Sequence, residues 1–209
     1  MKKRFIFDLD RTLLTCNYEL VETAVFEPIF KDDTDYIMKN IGKFLDEYEY
    51  INQNYEDARL SEFLTERSGL NFTPEVISRW KNAMMFEADT MEEGVIELLE
   101  YLKSKEKSLV VLTNWYGASQ IPRLKNAKIY DYFDDVFTGE YQLKPHPLAY
   151  IRSIGNYNPR ECVIIGDTPG KDYKAPQLHG IDAILYDKDN HHSNDYVKVK
   201  KLTDIIEKY

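Results

Sequence analysis

Asp8-Leu9-Asp10, Thr113-Asn114, Lys144 and the pair Asp167 and Asp172 are the residues of this 209-residue chain whose types and setting could do chemistry. Three of these groups close short apolar runs. Phe5-Ile6-Phe7 precedes Asp8, Leu109-Val110-Val111-Leu112 precedes Thr113, and Cys162-Val163-Ile164-Ile165 precedes Gly166-Asp167. Side chains at i and i+2 leave a strand on the same side, so the carboxylates of Asp8 and Asp10 are expected to converge. Carboxylates that close repel unless one takes up a proton or a cation sits between them. Mg2+, a hard ion that favours oxygen ligands, suits the second solution. Carboxylates with one lysine and hydroxyl or amide donors can hold a divalent metal and an anion together. Each residue also has a plainer reading. The acids can be solvated turn residues, a common role for Asp, Lys144 a surface lysine and Thr113 a helix cap. His146, His191 and His192 read as loop residues.

These groups are far apart in sequence, so the fold must gather them. Short runs rich in β-branched and aromatic residues mark strands buried on both faces. From Met91 on, such runs alternate with amphipathic stretches, which predicts an α/β fold with a parallel sheet and covering helices. Parallel strands place their C-terminal ends at one edge, where open sheets carry their sites. The expected helices are Met91–Ser104, with Val95, Leu98, Leu99 and Leu102 on one face, then 119–127, Pro147–Ile154 and a closing helix over 202–209. Between Cys16 and Thr90 the pattern is helical instead. Leu20, Val21, Ala24 and Val25 line a helix or, because of Pro28, a bent extended segment. Thr34 or Asp35 caps a helix with the stripe Ile37, Ile41, Phe44, Leu45 and Tyr48. Leu60, Phe63 and Leu64 belong to another, stopped by Gly69. Thr73-Pro74-Glu75 starts a third, which buries Val76, Ile77, Trp80 and Met84.

Composition bounds the function. The length suits one domain with a sizeable core, or a core domain plus a small insert. A formal net charge of -9 argues against a nucleic-acid or membrane-surface partner, so a phosphate site must be locally positive. No apolar run is long enough for a membrane span, and MKKRFIFDLD lacks the apolar segment of a secretory signal. Cys16 and Cys162 fit no metal-ligand spacing and read as reduced thiols of a cytoplasmic protein.

The order and spacing of these residues resemble the haloacid dehalogenase-like (HAD) superfamily, in its phosphatase branch, over the whole chain. Asp8-Leu9-Asp10-Arg11-Thr12 looks like that family's DxDxT motif, Thr113 like the second motif and Lys144-Pro145 like the third. Gly166 to Asp172 looks like the fourth, GDxxxxD. The resemblance implies a Rossmann-like parallel sheet core, residues 1–15 and 91–209, with a small helical cap of type 1 inserted at 16–90. It further implies a Mg2+-dependent phosphatase acting on a small phosphorylated substrate. Asp8 would be the nucleophile and Asp10 the general acid and base. Asp8, the Asp10 carbonyl and Asp167 would bind Mg2+, with Asp172 behind them. Lys144 and Thr113 would bind the phosphoryl group, and Asn114 and Arg11 would contact substrate. The chain departs from the family at Arg11, where Gly is usual, and at Pro176, where a small residue is usual. Dehalogenase or phosphomutase chemistry and a catalytically silent binding protein are the alternatives. Intact Asp8, Asp10, Lys144 and Asp167 speak against the silent reading. The sequence fixes neither the oligomeric state nor which of the cap residues Arg59, Arg67, Arg79 and Lys81 face the site.

Overall fold

Phe5-Ile6-Phe7 lies near the middle of a six-stranded parallel sheet in the computed structural model of the chain, which describes residues 1–86 and 88–209. The strands are β1 (Arg4–Phe7), β2 (Leu14–Thr15), β3 (Thr90–Met91), β4 (Ser108–Leu112), β5 (Asp135–Phe137), β6 (Cys162–Gly166), β7 (Asp182–Tyr186) and β8 (Lys198–Val199). The main sheet has the order β5-β4-β1-β6-β7-β8, while β2 and β3 form a separate antiparallel ribbon. β1 is buried on both faces because its pleat sends alternate residues into two cores. Phe5 and Phe7 join Leu109, Val111, Val163 and Ile165 on one side, and Ile6 joins Val110, Leu112 and Ile164 on the other.

Register sets the site. Phe7 stands opposite Val111 of β4 and Ile165 of β6. The polar residues that follow those three strands therefore emerge side by side. The chain runs outward from β1 through β4 and β5, then returns to the other side of β1 through β6, β7 and β8. That reversal opens a crevice at the C-terminal ends of β1, β4 and β6.

The helices are α1 (Tyr18–Phe30), α2 (Thr34–Ile51), α3 (Asp57–Ser68), α4 (Pro74–Phe86), α5 (Val95–Ser104), α6 (Gly117–Asn126) and α7 (Pro147–Ile154). A π-helical turn, Pro169–Lys174, leads into the short α8 (Ala175–Gln177), where Pro176 sits in the first turn without loss. Helices α1 to α4 share an apolar cluster around Phe26, Ile37, Tyr48, Leu64, Ile77 and Trp80, which Trp115, Tyr116 and Leu143 enter from the sheet side. Among the described residues, no helix is long and apolar enough to cross a membrane.

Several expectations need correction. Residues 18–30 are helical throughout, with Pro28 exposed in the last turn. The buried face is Val21, Val25, Phe26 and Phe30, whereas Leu20 and Ala24 face solvent. Thr34 does not cap α2, because its hydroxyl donates to the Lys31 carbonyl. Leu45 and Phe63 are only partly buried at the edges of their stripes. α5 starts at Val95 rather than Met91, because Thr90–Met91 pairs with Leu14–Thr15 and Gly94 takes φ +83°. A side chain at Gly94 would also come within 2.8 Å of Thr203. The closing segment, Leu202–Lys208, is a 3-10 helix. Gly69 at φ +74° and Pro74 and Pro147 at helix starts behave as their local chemistry requires.

Candidate active site

Asp8 is the first residue past β1, and its N–H still donates to the Ile165 carbonyl of β6 at 2.9 Å. The chain then turns back sharply. The Leu13 and Leu14 N–H groups both donate to the Leu9 carbonyl, and the Arg11 N–H donates to the Leu14 carbonyl. Arg11 adopts φ +59° to close this loop. An L side chain in that region costs about 1–2 kcal/mol, which gives a physical reason for glycine there in the family the motif resembles. The Arg11 side chain is exposed, with its guanidinium 5.2 Å above the Tyr18 ring.

Lys144 provides the centre of charge. Its ammonium donates to Asp8 Oδ1 at 2.8 Å and to Asp172 Oδ1 at 2.6 Å. Lys144 is 2% exposed, Asp172 0% and Asp8 8%, so this bridge is closed to solvent. Asn114 fixes the backbone of Lys144 from both sides: its Nδ2 donates to the Lys144 carbonyl and its Oδ1 accepts from the Lys144 N–H, each at 2.7 Å. Nδ2 also donates to Glu49. The amide that sequence marked for substrate is thus committed to holding the lysine. Gly166 explains its own identity. A Cβ there would lie 2.4 Å from Asp172 Cγ, so only glycine lets Asp172 fold back toward Lys144.

Oxygens of Asp8, Asp167 and Asp172 lie within 4.8 Å of one another. Burial and the neighbouring Asp172 charge push Asp167 up to about 6. Burial likewise raises Asp8 well above the carboxylate range, although Lys144 opposes it. Burial would lower Lys144, but Asp172 and Asp8 outweigh that and hold it above the ordinary lysine value. Three crowded oxygen donors with one ammonium remain short of positive charge, and hard carboxylate donors at this spacing fit Mg2+.

Asp10 departs from the expected shared cation. Its carboxylate turns to a separate set of donors: Oδ1 accepts from Tyr18 and from Arg123 Nη1, both at 2.7 Å, and Oδ2 accepts from Gln120 at 2.6 Å. Arg123 is 0% exposed and also grips Asp89 through Nε and Nη2. Burial alone would raise Asp10, but Arg123 with these hydrogen bonds brings it below its ordinary value. Each acid of the DxD pair thus has its own buried cation. Gln120 further donates to Thr113 Oγ at 2.8 Å, which leaves the Thr113 proton to donate elsewhere. Sequence reasoning missed Arg123 and Gln120. The available signal was their i, i+3 spacing on the helix just after Thr113-Asn114.

Asp8, Asp10, Arg11, Thr113, Asn114, Lys144 and Asp167 all line one cavity of about 410 Å³. Its other wall comes from α1, α2 and α4. None of Arg59, Arg67, Arg79 and Lys81 lines it. Arg59, Arg67 and Lys81 pair with Glu56, Glu47 and Asp57, and Arg79 is exposed. Glu49 of α2, 6% exposed, instead meets Lys171 of the Pro169–Lys174 turn at 2.5 Å. His146 contacts the Glu49 carbonyl, and the backbone N–H groups of His191 and His192 donate to Asp187.

The model of the family described as haloacid dehalogenase-like hydrolase matches residues 5–186, which takes in the sheet from β1 to β7 and every element that lines the cavity. The chain belongs to this family of hydrolases. Among other HAD proteins, it is 24% identical to the pyrimidine 5'-nucleotidase PynA of Streptococcus pneumoniae, over 97% of this chain and 90% of that protein. The HAD-hydrolase YfnB from Bacillus subtilis, solved bound to magnesium, superposes with a TM-score of 0.71 at 20% identity. That match covers 99% of this chain and 97% of the other. An L-2-haloacid dehalogenase from Xanthobacter autotrophicus superposes with a TM-score of 0.73 at 16% identity, over 99% and 98% of the two chains. Likeness at this level extends the HAD fold across the whole molecule.

Proposed function

We propose that this HAD hydrolase is a Mg2+-dependent phosphatase of a small phosphorylated metabolite, working through an aspartyl-phosphate on Asp8. The observation that carries the reading is the buried Lys144 ammonium between Asp8 and Asp172, with Asp167 at the same point. In phosphoryl transfer, catalysis is mostly positioning and charge stabilisation, and this set supplies both. Asp8, the Asp10 carbonyl and Asp167 would hold the metal, with Asp172 behind them. When bound, Mg2+ offsets the charge of the phosphoryl group and of Asp8.

A carboxylate oxygen of Asp8 attacks phosphorus; the P–O bond to the leaving group breaks, and Asp10 delivers a proton to the departing oxygen. Water then attacks the aspartyl-phosphate, gives its proton to Asp10, and releases inorganic phosphate and free Asp8. Lys144 has three N–H donors and uses two on Asp8 and Asp172, so a third serves a phosphoryl oxygen alongside the Thr113 hydroxyl. Asp10, held ionised by Arg123, is ready for the second step; the charge of an arriving phosphate ester favours the proton uptake that the first step needs. Residues 16–90 act as the cap, with the β2–β3 ribbon at its two chain crossings and Glu49–Lys171 across its closed face. Enclosure by the cap favours a small substrate.

The nucleotidase relative supports a phosphate ester as substrate, and the magnesium in the YfnB structure supports the cofactor. A halide leaves without a proton, so the three donors spent on orienting Asp10 argue for phosphate over carbon–halogen chemistry. Hydrolysis of p-nitrophenyl phosphate with Mg2+ is the test. Turnover should vanish in EDTA and return with added Mg2+; no turnover under either condition would overturn the proposal.

Arg123 provides a sharper check on Asp10. Arg123→Lys keeps the charge but cannot grip Asp10, Gln120 and Asp89 at once. It should lower kcat/KM on an alkyl phosphate about tenfold more than on p-nitrophenyl phosphate, whose leaving group needs little protonation. Equal losses on both would remove Asp10 from the acid role.

A further inference from the structure

The cap end of the cavity has a chemistry of its own. Beyond the phosphate-facing residues, its wall includes Met38, Ile41 and Leu45 of α2, Trp80 and Met84 of α4, and Glu22 of α1. We infer that the leaving group of the substrate is uncharged, with an apolar body seated on this wall and a hydrogen-bonding group that meets Glu22. This rests on the phosphatase reading and adds the class of ester.

Volume is the first argument. A cavity of about 410 Å³ is far larger than a phosphoryl group alone needs, so the leaving group must fill the cap end. Filling it with apolar surface takes Met38 and Leu45, still partly exposed beside the buried Ile41, Trp80 and Met84, out of water together with the substrate. Charge is the second argument. Among the described residues that line the cavity, six carboxylates (Asp8, Asp10, Glu22, Asp46, Glu49 and Asp167) face three cations. Both lysines are already engaged by carboxylates. Lys144 bridges Asp8 and Asp172, and Lys171 bridges Asp46 and Glu49. Arg11 lies over Tyr18, and its charge acts on Glu22 and Asp167. A second anion on the leaving group, such as a carboxylate, would meet this excess of carboxylates with only the exposed Arg11, its charge already shared by Glu22 and Asp167, to offset it. Glu22 itself is half-buried, and desolvation raises it to about 7 against the opposing charge of Arg11, so near neutrality it can donate as well as accept a hydrogen bond.

The test compares esters of primary alcohols, so that leaving-group chemistry stays similar, using the full chain with Mg2+. Benzyl phosphate should have a kcat/KM about 30-fold above that of 2-phosphoglycolate, mostly through KM, as expected for an apolar pocket that rejects a charge. Glu22→Lys should narrow this ratio by about tenfold, because it replaces the repelling group with an attracting one. Glu22→Gln should narrow it less, and provides the same reading if the lysine variant does not fold. A wild-type ratio near one or reversed, with p-nitrophenyl phosphate turned over, would overturn the inference and leave the phosphatase reading standing. A ratio unmoved in both variants would remove Glu22 from it. No turnover of p-nitrophenyl phosphate would overturn the phosphatase reading and this inference with it.

Discussion

Asp8→Asn should lower turnover of every phosphate ester by roughly 10⁴- to 10⁶-fold, the scale seen when a covalent nucleophile is removed. The amide keeps the shape of the side chain but gives up the anionic oxygen that would attack phosphorus. The same change should leave thermal stability equal or raise it. Asp8 is buried beside Asp167 and Asp172, and its carboxyl is pushed well above the ordinary range by that burial. An acid whose folded pKa is raised binds its proton more tightly when folded, so at neutral pH its ionisation opposes folding. Asparagine removes that opposition. A dead but equally stable or more stable variant is therefore the expected pair of results, measured by initial rates and by thermal denaturation at pH 7.5 in EDTA. Activity within tenfold of wild type would exclude Asp8 as nucleophile. Inactivity with a strongly lowered melting temperature would show that Asp8 holds the fold rather than storing strain at a functional site.

What could be read from the chain in advance follows from locality. β1, β4 and β6 are legible because strands buried on both faces leave continuous apolar runs, and their polar ends mark the crevice. Gly69, Pro74 and Pro147 are legible because each acts on its own backbone. The Thr90–Met91 strand is not, since its two residues owe their conformation to Leu14 and Thr15 at the far end of the helical unit. Arg123 is invisible for the same reason. In sequence it is one more cation on an amphipathic helix, and only the fold brings Asp10, 113 residues away, and Asp89, 34 away, against it. Asn114 shows a subtler limit. Its place at a strand end was readable, but its commitment to Lys144 depends on a loop 30 residues on. The Gly166 requirement likewise appears only once Asp172 has folded back upon it.

Lys144→Met tests the charge balance itself. The variant keeps the length and apolar stem of the side chain and removes only the ammonium that Asp8 and Asp172 share. Breaking a buried ion pair from one side costs about 3–5 kcal/mol, because the stranded charges stay buried. Phosphatase activity should fall below detection, since the phosphoryl site loses its buried cation. Stability should show a defined pH dependence. Without Lys144, the carboxyls of Asp8 and Asp167 stand above their unfolded values with less opposing charge, and Asp167 already stands at about 6 with the lysine present. Groups of this kind bind more protons folded than unfolded between the two values, so stability falls as pH rises through that window. The penalty is fully present above the folded pKa values and absent below the unfolded ones, near 4. The gap in melting temperature between Lys144→Met and wild type, both in EDTA, should therefore be largest at pH 8 and shrink clearly at pH 5. A gap that stayed constant, or widened in acid, would mean that Asp8 and Asp167 do not depend on this one ammonium for their charge, and the electrostatic account of the site would fail with it.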